Sequence, residues 1–147
     1  IVKFVDYGFA LPKGFDGDYS GTPPYMAPEV IMNEKEKIDE RTDLYSFAVT
    51  FYYCLTGHLP FEHRLSAGRN RRKLQQIVLR EGTVAPPSHY NRDIPKALDD
   101  LLLALLQKDP NARGYEKARD VLDFILEQWP KESEKMHFEV STLLSNE

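Results

Sequence analysis

The stretch Asp43–Leu55, DLYSFAVTFYYCL, constrains this chain more than any other. Between Leu44 and Leu55 only Ser46 and Thr50 are neither apolar nor aromatic. A helix that is apolar all round has no face for water and must be buried on every side. The stretch is too short for a membrane span and follows the charged run Asp39-Glu40-Arg41. A fully buried strand is the competing reading, because Val49, Phe51, Tyr52 and Tyr53 favour sheet. Its length and the stop signal Thr56-Gly57-His58-Leu59-Pro60 favour helix. The expectation is a central helix opening at Asp43, with other helices packed on it.

A chain of 147 residues supports one domain with a real core. Its composition, 41% hydrophobic and 29% charged, is that of a globular chain in water. A net charge of −4 argues against general nucleic-acid binding, which asks for a basic face. No signal peptide or membrane-spanning run is read. Cys54, the single cysteine, falls inside the stretch expected to be buried and permits no internal disulfide. That fits a reducing, intracellular and cytoplasmic setting. The sequence begins at Ile1, already in a strand-like run, and is expected to start inside a larger unit.

Ile1–Val5 reads as a short strand ending at Asp6-Tyr7-Gly8. Residues 9–28 hold Gly14, Gly17 and Gly21 with Pro12, Pro23, Pro24 and Pro28, and show no period. That reads as a long loop, which inside a compact domain is functional or disordered. A short helix is expected after Pro28, through Glu29–Met32, and Asn33–Glu40 as an exposed connection. Arg69–Arg80 can form a helix with Leu74, Ile77 and Val78 on one face, stopped by Gly82. Asp93 can cap the next helix, with Pro95 in its first turn. Its inward positions are Ile94, Leu98, Leu101, Leu102 and Leu105, and Asp109-Pro110 ends it. A last helix runs from about Tyr115 to Trp129, with Ala118, Val121, Leu122, Ile125 and Trp129 inward. The mainly α domain therefore covers residues 1–130, followed by a polar tail over 131–147.

Asp6-Tyr7-Gly8 places a carboxylate at a strand end, where it could meet a metal, although such a tripeptide is ordinarily only a turn. Its company changes that reading. In order, DYG, GTPPYMAPE over Gly21–Glu29, the Asp43 helix and KDPNAR over Lys108–Arg113 resemble the second half of a eukaryotic-type protein kinase domain. The resemblance runs from about Val2 to Trp129. It implies a protein-kinase-like C-lobe, with helices packed around the central helix and a long activation loop.

Carried residue by residue, the resemblance makes Asp6 the aspartate that holds magnesium at the phosphates of ATP. Residues 9–28 become the activation segment, whose ordering switches such enzymes. Thr22 matches the threonine that approaches the catalytic aspartate and lysine, a supporting role. With Gly21-Thr22 and Tyr25 before Ala-Pro-Glu, the pattern looks like a serine/threonine kinase. Pro24 and Tyr25, with Thr22, would face the substrate segment. Glu29 and Arg113 match a structural ion pair, and Asp43 matches the aspartate that receives hydrogen bonds from the catalytic loop. Read without the resemblance, Arg113 is a solvated loop arginine and Asp43 a helix N-cap.

Two residues depart from the family pattern: Tyr7 replaces phenylalanine, and Ala48 stands where glycine is usual. No glycine-rich loop, β3 lysine, partner glutamate or His-Arg-Asp loop occurs in these residues. The expectation is the C-terminal part of a serine/threonine kinase, inactive in isolation. The alternative is a pseudokinase-like protein-binding module, and a non-kinase helical domain is a remote third. Asp18 lies where kinases of this pattern carry an activating phosphate, three residues before Gly21. Its fixed charge would stand in for part of the roughly −1.5 to −2 of a phosphate. In the competing reading Asp16-Gly17-Asp18 is a solvated turn and Tyr19 or Ser20 takes the phosphate. Arg69, Arg71, Arg72 and Lys73 read as a solvated helix face, or as a docking site on 69–80 for a regulatory partner. His58 and His63, with no third ligand nearby, read as loop residues.

Overall fold

The computed structural model describes residues 23–61 and 83–129. The expected strand Ile1–Val5, most of the loop over 9–28, the helix over 69–80 and the tail 131–147 lie outside the described residues. The chain falls into two compact units, divided between Gly114 and Tyr115.

In the first unit a 3-10 turn, Pro23–Tyr25, leads into the short helix α1, Pro28–Met32. Proline suits the first position of α1, where its missing N–H would have no intrahelical acceptor. Asn33 ends α1 in the left-handed region at φ 59°, and Glu34 N donates back to the Glu29 carbonyl at 2.9 Å. The connection to the central helix contains a second 3-10 turn, Lys35–Lys37.

The central helix, α2, spans Glu40–Thr56. It opens three residues before the expected start. Asp39, and not Asp43, is its N-cap: Asp39 Oδ1 accepts from Arg41 N at 2.9 Å, and Asp39 N donates to Thr42 Oγ1 at 3.3 Å. This reciprocal arrangement supplies partners to groups that the helix itself leaves unmatched. Gly57, at φ 72°, closes the other end and donates to the Tyr53 carbonyl at 2.8 Å.

Burial on every side of α2 does not hold. Leu44, Tyr45, Ala48, Val49 and Tyr52 are buried, whereas Thr50, Tyr53 and Cys54 are exposed, Tyr53 by 46%. The reason lies in what covers the helix. Among the described elements, the helix Lys96–Leu105 and the turns Pro23–Tyr25 and Pro87–His89 lie against it, and its buried residues fall on one face.

Helix α3 spans Lys96–Leu105. Its N-cap position is Pro95 and not Asp93, because the residue before a proline is held out of helical geometry. Ile94, Leu101, Leu102 and Leu105 are buried as the spacing predicts, while Leu98 is half-buried. The helix stops four residues short of Asp109, and the 3-10 turn Pro110–Ala112 follows. Asp99, buried on α3, accepts from Ser88 N at 2.9 Å and from the Ser88 hydroxyl. It ties the turn Pro87–His89 to the helix, and Tyr52 of α2 reaches the same loop through a 2.9 Å bond to the Ala85 carbonyl.

In the second unit α4 spans Ala118–Gln128, started by Asp120 accepting from Glu116 N and Lys117 N at 2.9 Å each. Val121 is buried and Ile125 half-buried, but Ala118 and Leu122 are exposed, contrary to the sequence pattern. Among the described residues no helix is long and apolar enough to cross a membrane.

Asp99 and Asp100 sit side by side on α3 with opposite expected sensitivities. Asp99→Ala leaves the half-buried donors of Ser88 without their charged acceptor and should cost about 1–3 kcal/mol. Asp100 forms an exposed pair with Lys96, its side chain 59% exposed, and Asp100→Ala should stay within about 0.5 kcal/mol. Urea denaturation of both variants, read as a midpoint shift at constant slope, checks this.

Candidate functional site

The guanidinium of Arg113 is fully buried, and four hydrogen bonds from it are seen. The segment Lys108–Arg113 brings it beneath α1, where Glu29, in the first turn, is 1% exposed. Arg113 Nη1 donates to Glu29 Oε1 and Nη2 to Oε2, each at 2.8 Å, giving a two-pronged pair. Nη1 also donates to the Arg41 carbonyl at 2.8 Å, and Nε to the Gln107 carbonyl at 3.0 Å. The Tyr45 ring lies under the cation, its centroid 5.0 Å from Cζ. Glu29 Oε1 accepts a further bond from Thr42 Oγ1 at 2.8 Å.

Such completeness decides the energetics. Two charges taken out of water cost several kcal/mol each, and only good geometry with all remaining donors matched offsets that. Planar fork-to-carboxylate bonding is the strong form of the interaction. No buried side-chain nitrogen or oxygen among the described residues lacks a partner. Burial raises the Tyr45 hydroxyl far above its ordinary value, so this ring faces the cation as a neutral phenol.

A second layer surrounds the pair. Arg41 grips the Asp39 carboxylate through Nε at 3.0 Å and Nη2 at 2.6 Å, and its Nη1 reaches Asn111 Oδ1 at 2.9 Å. Asn111 N in turn donates to Asp109 Oδ1 at 3.0 Å. The Arg41 hydrogen bonds hold the Asp39 carboxyl below the ordinary range, against a smaller opposing effect of burial. Asp43, one turn into α2, is exposed by surface area but crowded enough that desolvation raises its carboxyl.

The structure thus brings together Glu29 and Arg113, 84 residues apart in sequence. Pro24 and Tyr25 lie in the turn against α2, half-buried. Asp6, Asp18, Tyr19, Ser20 and Thr22 lie outside the described residues, as do the basic residues of 69–80 and His63. His58 stacks on Tyr90 at 4.5 Å between ring centres. Ala48, where the family pattern has glycine, is buried within α2. Among the described residues no three His, Cys, Asp or Glu side chains form a group able to hold a metal ion, and the magnesium expected at Asp6 would sit elsewhere. The sequence reading gives Thr42, Arg41 and Asn111 no part in the site. The spacing Asp39-x-x-Thr42 is a capping signal that would have located the first of them.

Comparison with known proteins places this geometry. The family profile of the protein kinase domain matches residues 1–123. The chain belongs to the protein kinase domain family, and its helical architecture is that of the family's C-lobe. A probable serine/threonine-protein kinase of Clostridium acetobutylicum is 29% identical over 128 residues, covering 84% of this chain and 18% of that relative. The serine/threonine-protein kinase Pkn1 of Myxococcus xanthus is 34% identical, covering 77% of this chain and 16% of its own length. Serine/threonine-protein kinase ULK1 of Homo sapiens is 35% identical, with 76% and 10% covered. The chain spans less than a fifth of the length of these relatives.

Two outcomes are expected of the site. Arg113→Met leaves Glu29 buried without its counter-charge and should cost about 3–5 kcal/mol, much of it recovered when Glu29→Met is added. Chemical denaturation of the single and double variants measures both. The second concerns acid. A depressed carboxyl stabilises the fold above its unfolded value of about 3.9, and that contribution is lost as pH falls through the folded value. Asp39→Asn should therefore flatten the fall in stability below about pH 4, in denaturation midpoints taken from pH 6 to pH 2.5.

Proposed function

We propose that this chain is the C-terminal part of the kinase domain of a longer serine/threonine protein kinase, which transfers the γ-phosphate of ATP to protein serine or threonine. The buried Glu29–Arg113 pair, joined by Thr42, carries the reading. It fastens the segment Pro23–Glu29 to the helical body. Phosphoryl transfer depends almost wholly on positioning and charge stabilisation, so a segment that presents substrate must be held still. Pro24 and Tyr25, with Thr22, would meet the protein substrate. Asp6 would hold magnesium, which neutralises phosphate charge when bound with ATP. Asp18, Tyr19 and Ser20 are the proposed regulatory positions, and the basic run 69–80 a proposed contact for a regulatory partner. The domain is taken to extend to about residue 130, in an intracellular, cytoplasmic protein.

These 147 residues contain no His-Arg-Asp loop and no β3 lysine, so the isolated chain is proposed to be inactive. Labelled ATP, magnesium and a generic basic protein test both statements. The parent polypeptide should label serine or threonine, and Asp6→Asn should abolish labelling. The chain alone should transfer nothing. A parent that lacks the catalytic loop and transfers nothing would make this a pseudokinase-like binding module instead.

A further inference from the structure

The loop that delivers Arg113 is attached to α2 twice, and both attachments end on one residue. The Arg41 carbonyl accepts from Arg113 Nη1 at 2.8 Å, and Arg41 Nη1 donates to Asn111 Oδ1 at 2.9 Å. Two attachments, two positions apart on the loop, fix its orientation as well as its distance. The guanidinium that makes the second is itself aimed, because Nε and Nη2 are taken up by Asp39, the N-cap of the same helix. Asn111 is aimed from the other side by the bond from its own N–H to Asp109. Here separate nitrogens of one planar fork hold acceptors on two sides, a spread that an ammonium group, with all its donors on one atom, does not match. The Arg41 side chain is 22% exposed, against none for Arg113.

We propose that Arg41 is a positioning residue: its guanidinium sets the 109–113 loop so that Arg113 meets Glu29, and through that pair holds the segment Pro23–Glu29 where protein substrate is read. The last clause rests on the kinase reading, and the rest stands on the geometry alone. Hydrogen exchange of the chain tests the geometric part. Val30 N and Ile31 N both donate to the Ala27 carbonyl at 3.1 Å and report on α1. Arg41→Ala and Arg41→Lys should each speed exchange at these amides roughly tenfold, while the amides of Leu101–Leu105 stay unchanged. Asn111→Ala, which leaves the Asp39 cap intact, should act in the same direction by a few-fold. Unchanged exchange at Val30 and Ile31, equal acceleration in α3, or normal behaviour of Arg41→Lys would each overturn the proposal. In the parent polypeptide, Asn111→Ala should raise KM for the protein substrate several-fold with kcat and KM for ATP unmoved. A fall in kcat alone overturns the substrate clause. An inactive parent counts against the kinase reading, and the exchange result still decides the role of Arg41.

Discussion

A buried arginine tolerates very little. Its charge cannot be neutralised by losing a proton, since guanidinium stays protonated throughout the accessible range. The fold must therefore bring acceptors to it, and here it brings them from four places. Glu29 comes from α1, the Arg41 carbonyl from α2, the Gln107 carbonyl from the end of α3, and the Tyr45 ring from the core face of α2. Each of these elements has its position restricted by the same cation. That requirement explains why α1, only five residues long, is held at all: a single helical turn has no stability of its own.

Helix α2 serves two different ends of the molecule. Its first turn is polar and supplies Asp39, Arg41 and Thr42 to the ion-pair network. Its later turns are apolar and supply Tyr45, Val49 and Tyr52 to the core against α3. The change along one helix lets a rigid rod carry the geometry of the core to the charged network without a hinge between them.

The apolar run and the motif order made the central helix and the kinase-like character legible, because both are written in residue type and short-range spacing. Glu29 and Arg113 were legible as a pair only through the resemblance, since nothing local in Lys108–Arg113 says that its arginine goes inside. The true start of α2 was misplaced because Thr42-Asp43 stands directly before the apolar run, whereas the cap is set by which carboxylate can reach the free N–H groups. Burial around α2 was overstated because a residue's hydrophobicity does not say which neighbour covers it. The Ser88–Asp99 tie was invisible for a related reason: an aspartate on an amphipathic helix reads as outward until a donor from a distant loop is known to face it.

The pair also has a topological consequence. Glu29 and Arg113 are the neck of a closed loop that contains most of the first unit, 84 residues from one side to the other. The entropy of closing such a loop grows only with the logarithm of its length, about 0.6 kcal/mol for each doubling. Ten or twenty residues added within the ring would therefore scarcely weaken the neck, provided that α2 and its first turn were kept. A fold fastened in this way can vary the length of its interior segments freely while the segment ahead of α1 remains anchored.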